Sequence, residues 1–248
     1  MPTGSPIFQR LFFVIAIATG TTTAVAQENL KPLSPAKIEI DEDILAFFID
    51  KPCHHFEAAR DSFVAGKVKQ TAKHLRDAVA YLRLEAARAT PNGKTALEAS
   101  IAELKQLADV VEKEQVKSVR TLEQAFARAH YALSGHHCIK SNHRCCQVAT
   151  FQDKQEIART GQDLKAATFH FRKGAEWEYG ELDEKTLELL DNAKLSANQL
   201  IQQKRGSRRK VRKNIHAVHD RLEKVTGLKF KIAPSVIAED DAGPSLFK

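Results

Sequence analysis

Histidine and cysteine are concentrated in one short segment of the chain, residues 136–146. Six of its eleven residues are of these two types: His136, His137, Cys138, His143, Cys145 and Cys146. A smaller group follows Pro52 as Cys53, His54 and His55. Imidazole nitrogen and thiolate sulfur are the ligands that zinc and copper prefer. The two groups would therefore form a metal site if folding brings them together.

Disulfide bonding is the interpretation we favour for the four cysteines, Cys53, Cys138, Cys145 and Cys146. A bond between adjacent cysteines closes a strained ring. The other two pairings join Cys138 to one of the adjacent pair and Cys53 to the other. Such a crosslink would stabilise a loop by roughly 2–4 kcal/mol. Two alternatives stay open: a metal site that contains thiolates, and a histidine-only site of His54, His55, His136, His137 and His143 beside intact disulfides.

Three further histidines lie within predicted helices. His74, His130 and His170 each stand one position away from the apolar stripe of their helix, beside Leu75, Ala129 and Phe171. This placement predicts side chains that border the core and contact water. No histidine has Glu or Asp three residues before it, which excludes the Glu-x-x-His pattern of di-iron carboxylate bundles.

Motifs of common enzyme classes are missing from the sequence. It contains no G-x-S-x-G, no H-E-x-x-H and no glycine-rich phosphate loop. We therefore expect a non-enzymatic protein without a cofactor, and zinc or copper only under the metal-binding alternative.

Positive charge is concentrated between residues 204 and 213. This segment contains seven cations, Lys204, Arg205, Arg208, Arg209, Lys210, Arg212 and Lys213, in a chain whose formal net charge is +7. So many like charges project a positive field. The segment predicts docking on an anionic surface such as lipid or cell-wall polymer.

The N-terminus has the features of a secretory signal peptide. Arg10 precedes an apolar run, and Ala24-Val25-Ala26 forms an A-x-A cleavage site before Gln27. The run is too short to span a bilayer, so we expect no transmembrane segment in the mature chain. An exported protein, periplasmic or secreted, is expected, and nucleic acid is not expected as its partner.

The spacing of apolar residues predicts an all-α fold. Apolar positions recur at alternating intervals of four and three, as on one face of a helix. We predict an antiparallel bundle of long helices over residues 41–227. Residues 1–26 form the signal peptide, 27–40 an extended lead-in, and 228–248 an extended or disordered tail.

Two features of the predicted bundle concern the histidine- and cysteine-rich segment. The longest periodic stretch runs from Lys94 to Ser134, with its weakest point, and so a candidate break, near Gln115. The polar stretch from Gly135 to Ala149 interrupts the apolar pattern and is predicted to be a connecting loop.

Overall fold

The described residues, 50–146, 153–202 and 208–232, form seven helices and no strand in a computed structural model of the 248-residue chain. The predicted all-α class and the helical bundle are confirmed. None of the described helices is both long and apolar enough to cross a lipid bilayer. The helices are α1 Lys51–Val64, α2 Val68–Ala87, α3 Pro91–Glu112, α4 Val119–Cys146, α5 Lys154–Tyr179, α6 Glu184–Ile201 and α7 Arg208–Thr226.

Proline, aspartate and glycine set several of the helix ends. Pro91 is the first residue of α3, where its missing N–H is not needed. The side chains of Asp153 and Asp183 accept hydrogen bonds from the backbone at the starts of α5 and α6. Gly180 follows α5 with a φ of +81°, a left-handed conformation that favours glycine.

Two sequence predictions about α3 and α4 have different outcomes. The break near Gln115 is confirmed, because α3 ends at Glu112 and α4 begins at Val119. The loop predicted for Gly135 to Ala149 is wrong, since α4 continues to Cys146; residues 147–149 lie outside the described part. The predictions for residues 1–49 and for the tail beyond residue 232 also lie outside it.

The core consists of two apolar clusters, and α4 contributes to both. The first cluster joins α1, α2, α3 and the first half of α4, where the rings of Phe56 and Phe126 stack 4.5 Å apart. The second joins another face of α4, which includes Tyr131 and Cys138, to α5, α6 and α7, around residues such as Phe171 and Ile215. Because burial of apolar surface drives folding, α4 is fixed on opposite sides by the two clusters.

Gly161 allows α5 to approach α6 closely. A Cβ atom at this position would lie 2.7 Å from the carbonyl oxygen of Ala197 and 2.9 Å from Cβ of Leu200. The apolar stripe of α5 therefore includes a glycine at a close contact with α6.

Candidate functional site

The histidine- and cysteine-rich segment forms the C-terminal half of α4, and its polar side chains face α5. Five polar residues of α4 recur at intervals of four and three, which places them on one helix face. We call them the polar seam: His130, Ser134, His137, Ser141 and Arg144. A helix can be polar along such a stripe and still be buried, provided that each polar group finds a partner.

Each residue of the polar seam contacts α5. Nδ1 of His130 lies 3.1 Å from Nδ1 of His170. The hydroxyls of Ser134 and Ser141 donate to the carbonyl oxygens of Ala167 and Thr160, at 2.9 and 3.1 Å. Farther along, His137 contacts Asp163, and Arg144 pairs with both Asp163 and Glu156. As residue numbers rise along α4 they fall along α5, so the two helices are antiparallel.

Asp163 is the central acceptor of the polar seam. Its Oδ1 lies 3.1 Å from Nδ1 of His137 and 3.4 Å from Nζ of Lys140, and its Oδ2 accepts from Nε of Arg144 at 3.2 Å. Burial by itself raises the pKa of this carboxyl, but the hydrogen bond from His137 and the nearby positive charges outweigh burial and lower the pKa to about 2. Asp163 is therefore ionised at neutral pH.

His136 points away from the polar seam, toward α2 and α3. Its Nε2 lies 3.2 Å from Oε2 of Glu85, and its Nδ1 lies close to Gly93, where a Cβ atom would come within 3.2 Å. Burial lowers the pKa of His136 to about 4, in spite of the carboxylate beside it. His136 is therefore neutral at physiological pH.

The cysteines do not form the predicted crosslink. All four, Cys53, Cys138, Cys145 and Cys146, have free thiols, and no two of them approach to bonding distance. Cys138 and Cys145 share α4, where seven residues at about 1.5 Å each separate them by about 10 Å. A disulfide requires Cα atoms within roughly 7 Å. The prediction failed because it assumed a folded-back loop where the chain is helical.

The buried thiols are poor candidates for metal ligands in their present state. Burial is the main cause that raises the pKa of Cys53, Cys138 and Cys145 to about 12. They are neutral at physiological pH, whereas metal binding requires the thiolate.

The histidines predicted to form one metal site do not converge. His54 and His143 are exposed, on α1 and near the end of α4. His136 and His137 face different helices and contact Glu85 and Asp163. Of the predicted set, His55 alone belongs to a group of three potential ligands within the described residues.

That group, which we call the α1–α2 cluster, consists of His55, His74 and Asp77. One ligand atom from each lies within 4.8 Å of the other two. His74 and Asp77 are three residues apart and share a face of α2, and His55 reaches them from α1. All three side chains are half-buried.

Both histidines of the α1–α2 cluster have an unused nitrogen. Nδ1 of His55 and Nδ1 of His74 are buried and have no hydrogen-bond partner among the described residues. Burial lowers the pKa of His55, and the positive charges nearby add to the effect of burial, although Asp77 opposes it. A neutral imidazole is the form that binds a metal.

Two neighbours define the surroundings of the α1–α2 cluster. Nζ of Lys73 pairs with Oδ2 of Asp77 at 2.8 Å. The ring of His55 stacks on Tyr81 at a centroid distance of 5.4 Å. A bound cation would compete with Lys73 for Asp77 and would lie close to an aromatic ring.

The prediction that His130 and His170 border the core and contact water is wrong. Both are buried, with exposures of 0% and 1%. They are buried because the interface of α4 and α5 is wider than the apolar stripes and includes the positions beside them. Within this interface the two imidazoles contact each other.

Arg208 has a structural role that charge counting did not identify. Its guanidinium donates to the carbonyl oxygens of Cys145 and Cys146, at 2.8 and 3.2 Å. These carbonyls are at the C-terminus of α4, where a cation is favourable. Arg209, Lys210 and Lys213 are exposed on α7, Arg212 is half-buried, and Lys204 and Arg205 lie outside the described residues.

Sequence reasoning did not single out His74 and Asp77 as potential metal ligands, although a signal was present. The pattern His-x-x-Asp places both side chains on one face of a helix. The third potential ligand comes from α1, and sequence spacing does not reveal which residue of another helix lies opposite.

No protein-family model, curated protein or solved structure matches the chain.

Proposed function

We propose that the protein binds a divalent transition-metal ion, zinc or copper, through His55, His74 and Asp77. The observation that supports this proposal is the convergence of three potential ligand atoms from two helices within 4.8 Å. Two imidazoles and one carboxylate suit both ions. The carboxylate also supplies a negative charge that partly offsets the charge of the ion.

Three protein ligands leave a coordination position of the ion open. A tetrahedral zinc ion with three protein ligands holds a water molecule or an external ligand in its fourth position. His54 is adjacent in sequence, and its ring lies 5.7 Å from that of His55, at the edge of the same site. The proposed role is reversible binding of the ion by an exported protein.

Calorimetric titration of chelator-treated protein with Zn²⁺ and with Cu²⁺ tests this proposal. We expect one equivalent to bind at the α1–α2 cluster. The variants His74→Ala and Asp77→Asn should each weaken binding at least tenfold, or by about 1.4 kcal/mol, because each removes one of three ligands. Copper should also quench Tyr81 fluorescence, since His55 stacks on its ring.

His143→Ala is the matched control. His143 is an exposed histidine of the residue 136–146 segment and lies outside the α1–α2 cluster. Its replacement should leave the affinity unchanged. Equal losses in His74→Ala and His143→Ala would refute the assignment, as would a protein that binds neither ion.

Docking on an anionic surface is the second function that we propose. The start of α7 exposes Arg209, Lys210 and Lys213 within little more than one helical turn, and cations near a surface attract anionic lipid. This proposal concerns exposed charge on α7 and is independent of the metal site.

Vesicle sedimentation tests the docking proposal. Phosphatidylglycerol vesicles should bind the protein at low salt and release it at high salt, because screening weakens exposed charges. The triple variant Arg209→Gln, Lys210→Gln, Lys213→Gln should bind several-fold more weakly. A control that removes the same charge elsewhere, Lys69→Gln, Lys105→Gln, Lys113→Gln, should bind normally. If both triple variants lost vesicle binding equally, the net charge of the protein would account for the binding, and a docking surface on α7 would be contradicted.

A further inference from the structure

His130 of α4 and His170 of α5 face each other across the helix interface. Their Nδ1 atoms lie 3.1 Å apart, and the ring centroids 5.3 Å apart. Both side chains are inaccessible to solvent, with exposures of 0% and 1%. We call these two residues the imidazole pair.

Aromatic rings surround much of the imidazole pair. Phe56 of α1 makes an edge contact with the ring of His130 at 5.2 Å, and Phe169 makes one with His170 at 5.1 Å. The ring of His137 stacks on His170 at 5.8 Å. None of these three rings supplies a negative charge; the nearby carboxylates are Asp163, which contacts the ring of His137, and Glu85, which acts on His170 from a distance.

The imidazole pair is neutral and incompletely hydrogen-bonded. Burial is the largest cause that lowers the pKa of both histidines well below the usual value of 6.5. The charge of Lys173 adds to burial at His130, whereas at His170 the neighbouring histidines add to it and Glu85 opposes it. A neutral pair shares one proton between its two Nδ1 atoms. Nε2 of His130 has no partner among the described residues. An unpartnered buried nitrogen is costly in a protein interior.

We propose that the imidazole pair is a binding site for one Cu(I) ion, held between Nδ1 of His130 and Nδ1 of His170. Copper in this oxidation state is a soft monovalent ion that accepts two nitrogen ligands in a nearly linear arrangement. At roughly 2.0 Å per metal–imidazole bond, such an arrangement separates the nitrogens by about 4 Å. Each ring would move by about half an ångström from its present position.

Charge distinguishes this site from the α1–α2 cluster. A divalent ion between two neutral imidazoles would bring two positive charges into a buried region without a carboxylate ligand, which is strongly unfavourable. Cu(I) brings one charge and needs fewer ligands. The half-exposed α1–α2 cluster, with Asp77, instead suits a divalent ion. The Cu(I) proposal rests on different residues and does not depend on the divalent site.

The proton count of Cu(I) binding follows from the 3.1 Å contact between the two Nδ1 atoms, in which one nitrogen donates a proton and the other accepts it. The proton between the two Nδ1 atoms moves to Nε2 of the ring that carried it, and both Nδ1 lone pairs then bind the ion. No proton leaves the protein and no electron is transferred, since the ion arrives as Cu(I). Binding at the imidazole pair should therefore be independent of pH above neutrality.

Anaerobic competition with the Cu(I) chelator bathocuproine disulfonate tests the proposal on the whole mature protein. We expect one tightly bound equivalent whose affinity is the same at pH 7 and pH 8. Thiol ligands would behave differently, because each buried cysteine must lose a proton to bind. A tenfold or larger increase in affinity over that interval would assign the ion to cysteines and overturn the proposal.

X-ray absorption at the copper edge gives a second readout that needs no variant. The Cu(I)-loaded protein should show two nitrogen neighbours and no sulfur neighbour. Sulfur in the first coordination shell would also overturn the assignment.

Substitution separates the two proposed sites. His170→Gln should lose the tight Cu(I) equivalent, and His170→Met, which offers a soft thioether, should retain it. His74→Ala should keep Cu(I) binding and weaken divalent binding at least tenfold, so the failure of one proposal is distinguishable from the failure of the other. Unchanged Cu(I) affinity in a folded His170→Gln protein would contradict the imidazole-pair site.

Discussion

Mild acid will unfold this protein, with a loss of about 4 kcal/mol in unfolding free energy per pH unit near pH 5. His130, His136 and His170 are buried and neutral. Burial is the largest cause that lowers the pKa of each of them, and the pKa of His136 is lowered to about 4. In the unfolded chain each titrates near 6.5. Near pH 5 the unfolded state therefore binds close to three more protons than the folded state, at about 1.4 kcal/mol per proton and pH unit.

The sign of this effect follows from the direction of the pKa shifts. Because folding lowers these three pKa values, their contribution is complete above pH 6.5 and is lost as the pH falls toward 4. The lowered pKa of Asp163 extends the loss below pH 4. Domains of this size have about 5–15 kcal/mol of stability in total, so the combined loss is sufficient for unfolding.

Urea denaturation of the metal-free protein at pH values half a unit apart measures the slope of the unfolding free energy against pH. His136→Gln should reduce the slope by about one third, because it removes one of three titrating groups. His54→Gln, at an exposed histidine, should leave the slope unchanged. An unfolding free energy that stays flat between pH 7 and pH 5 would show that the three histidines are not buried as neutral groups.

Replacing Asp163 with asparagine will destabilise the fold by about 3 kcal/mol or more at pH 7. The carboxylate is the acceptor for His137, Lys140 and Arg144 at distances of 3.1 to 3.4 Å. Asparagine has nearly the same shape but lacks the negative charge, so Lys140 and Arg144 lose their shared buried counterion. Removal of one partner of a buried ion pair typically costs about 3–5 kcal/mol.

Asp191→Asn is the control for Asp163→Asn. Asp191 pairs with Arg172 between α5 and α6 at 2.8 Å, but its side chain is 64% exposed. Exposed ion pairs contribute only about 0–1 kcal/mol. The two variants are compared by the urea concentration at which half of the protein is unfolded, with the dependence of the unfolding free energy on urea unchanged. Similar midpoints for the two variants would mean that the polar seam does not stabilise the interface of α4 and α5.

Most helices were predictable because their signals are local. Apolar spacing of four and three marked the core faces, and residue types such as Pro91 and Gly180 stand where helices begin and end. The break near Gln115 was visible as a gap in the apolar stripe. Such signals depend on near neighbours in sequence, so they do not require knowledge of the tertiary structure.

The segment 135–146 was misread because polarity was taken as a sign of exposure. His137, Ser141 and Arg144 continue the four–three spacing of His130 and Ser134, but with polar residues. A buried polar stripe and an irregular polar loop have similar compositions. Their difference lies in the partners on α5, such as Asp163 and Glu156, which are near in space and distant in sequence.

The amino-acid sequence by itself determined the helical class, the break near Gln115 and the residue types suited to metal binding. The tertiary structure decided which of these residues meet: His55 with His74 and Asp77, His130 with His170, and no cysteine with another. The physical reason is that helix formation depends on contacts a few residues apart, whereas a site between helices depends on the register of their packing. That register is set by the apolar core and by paired buried polar groups along the whole interface.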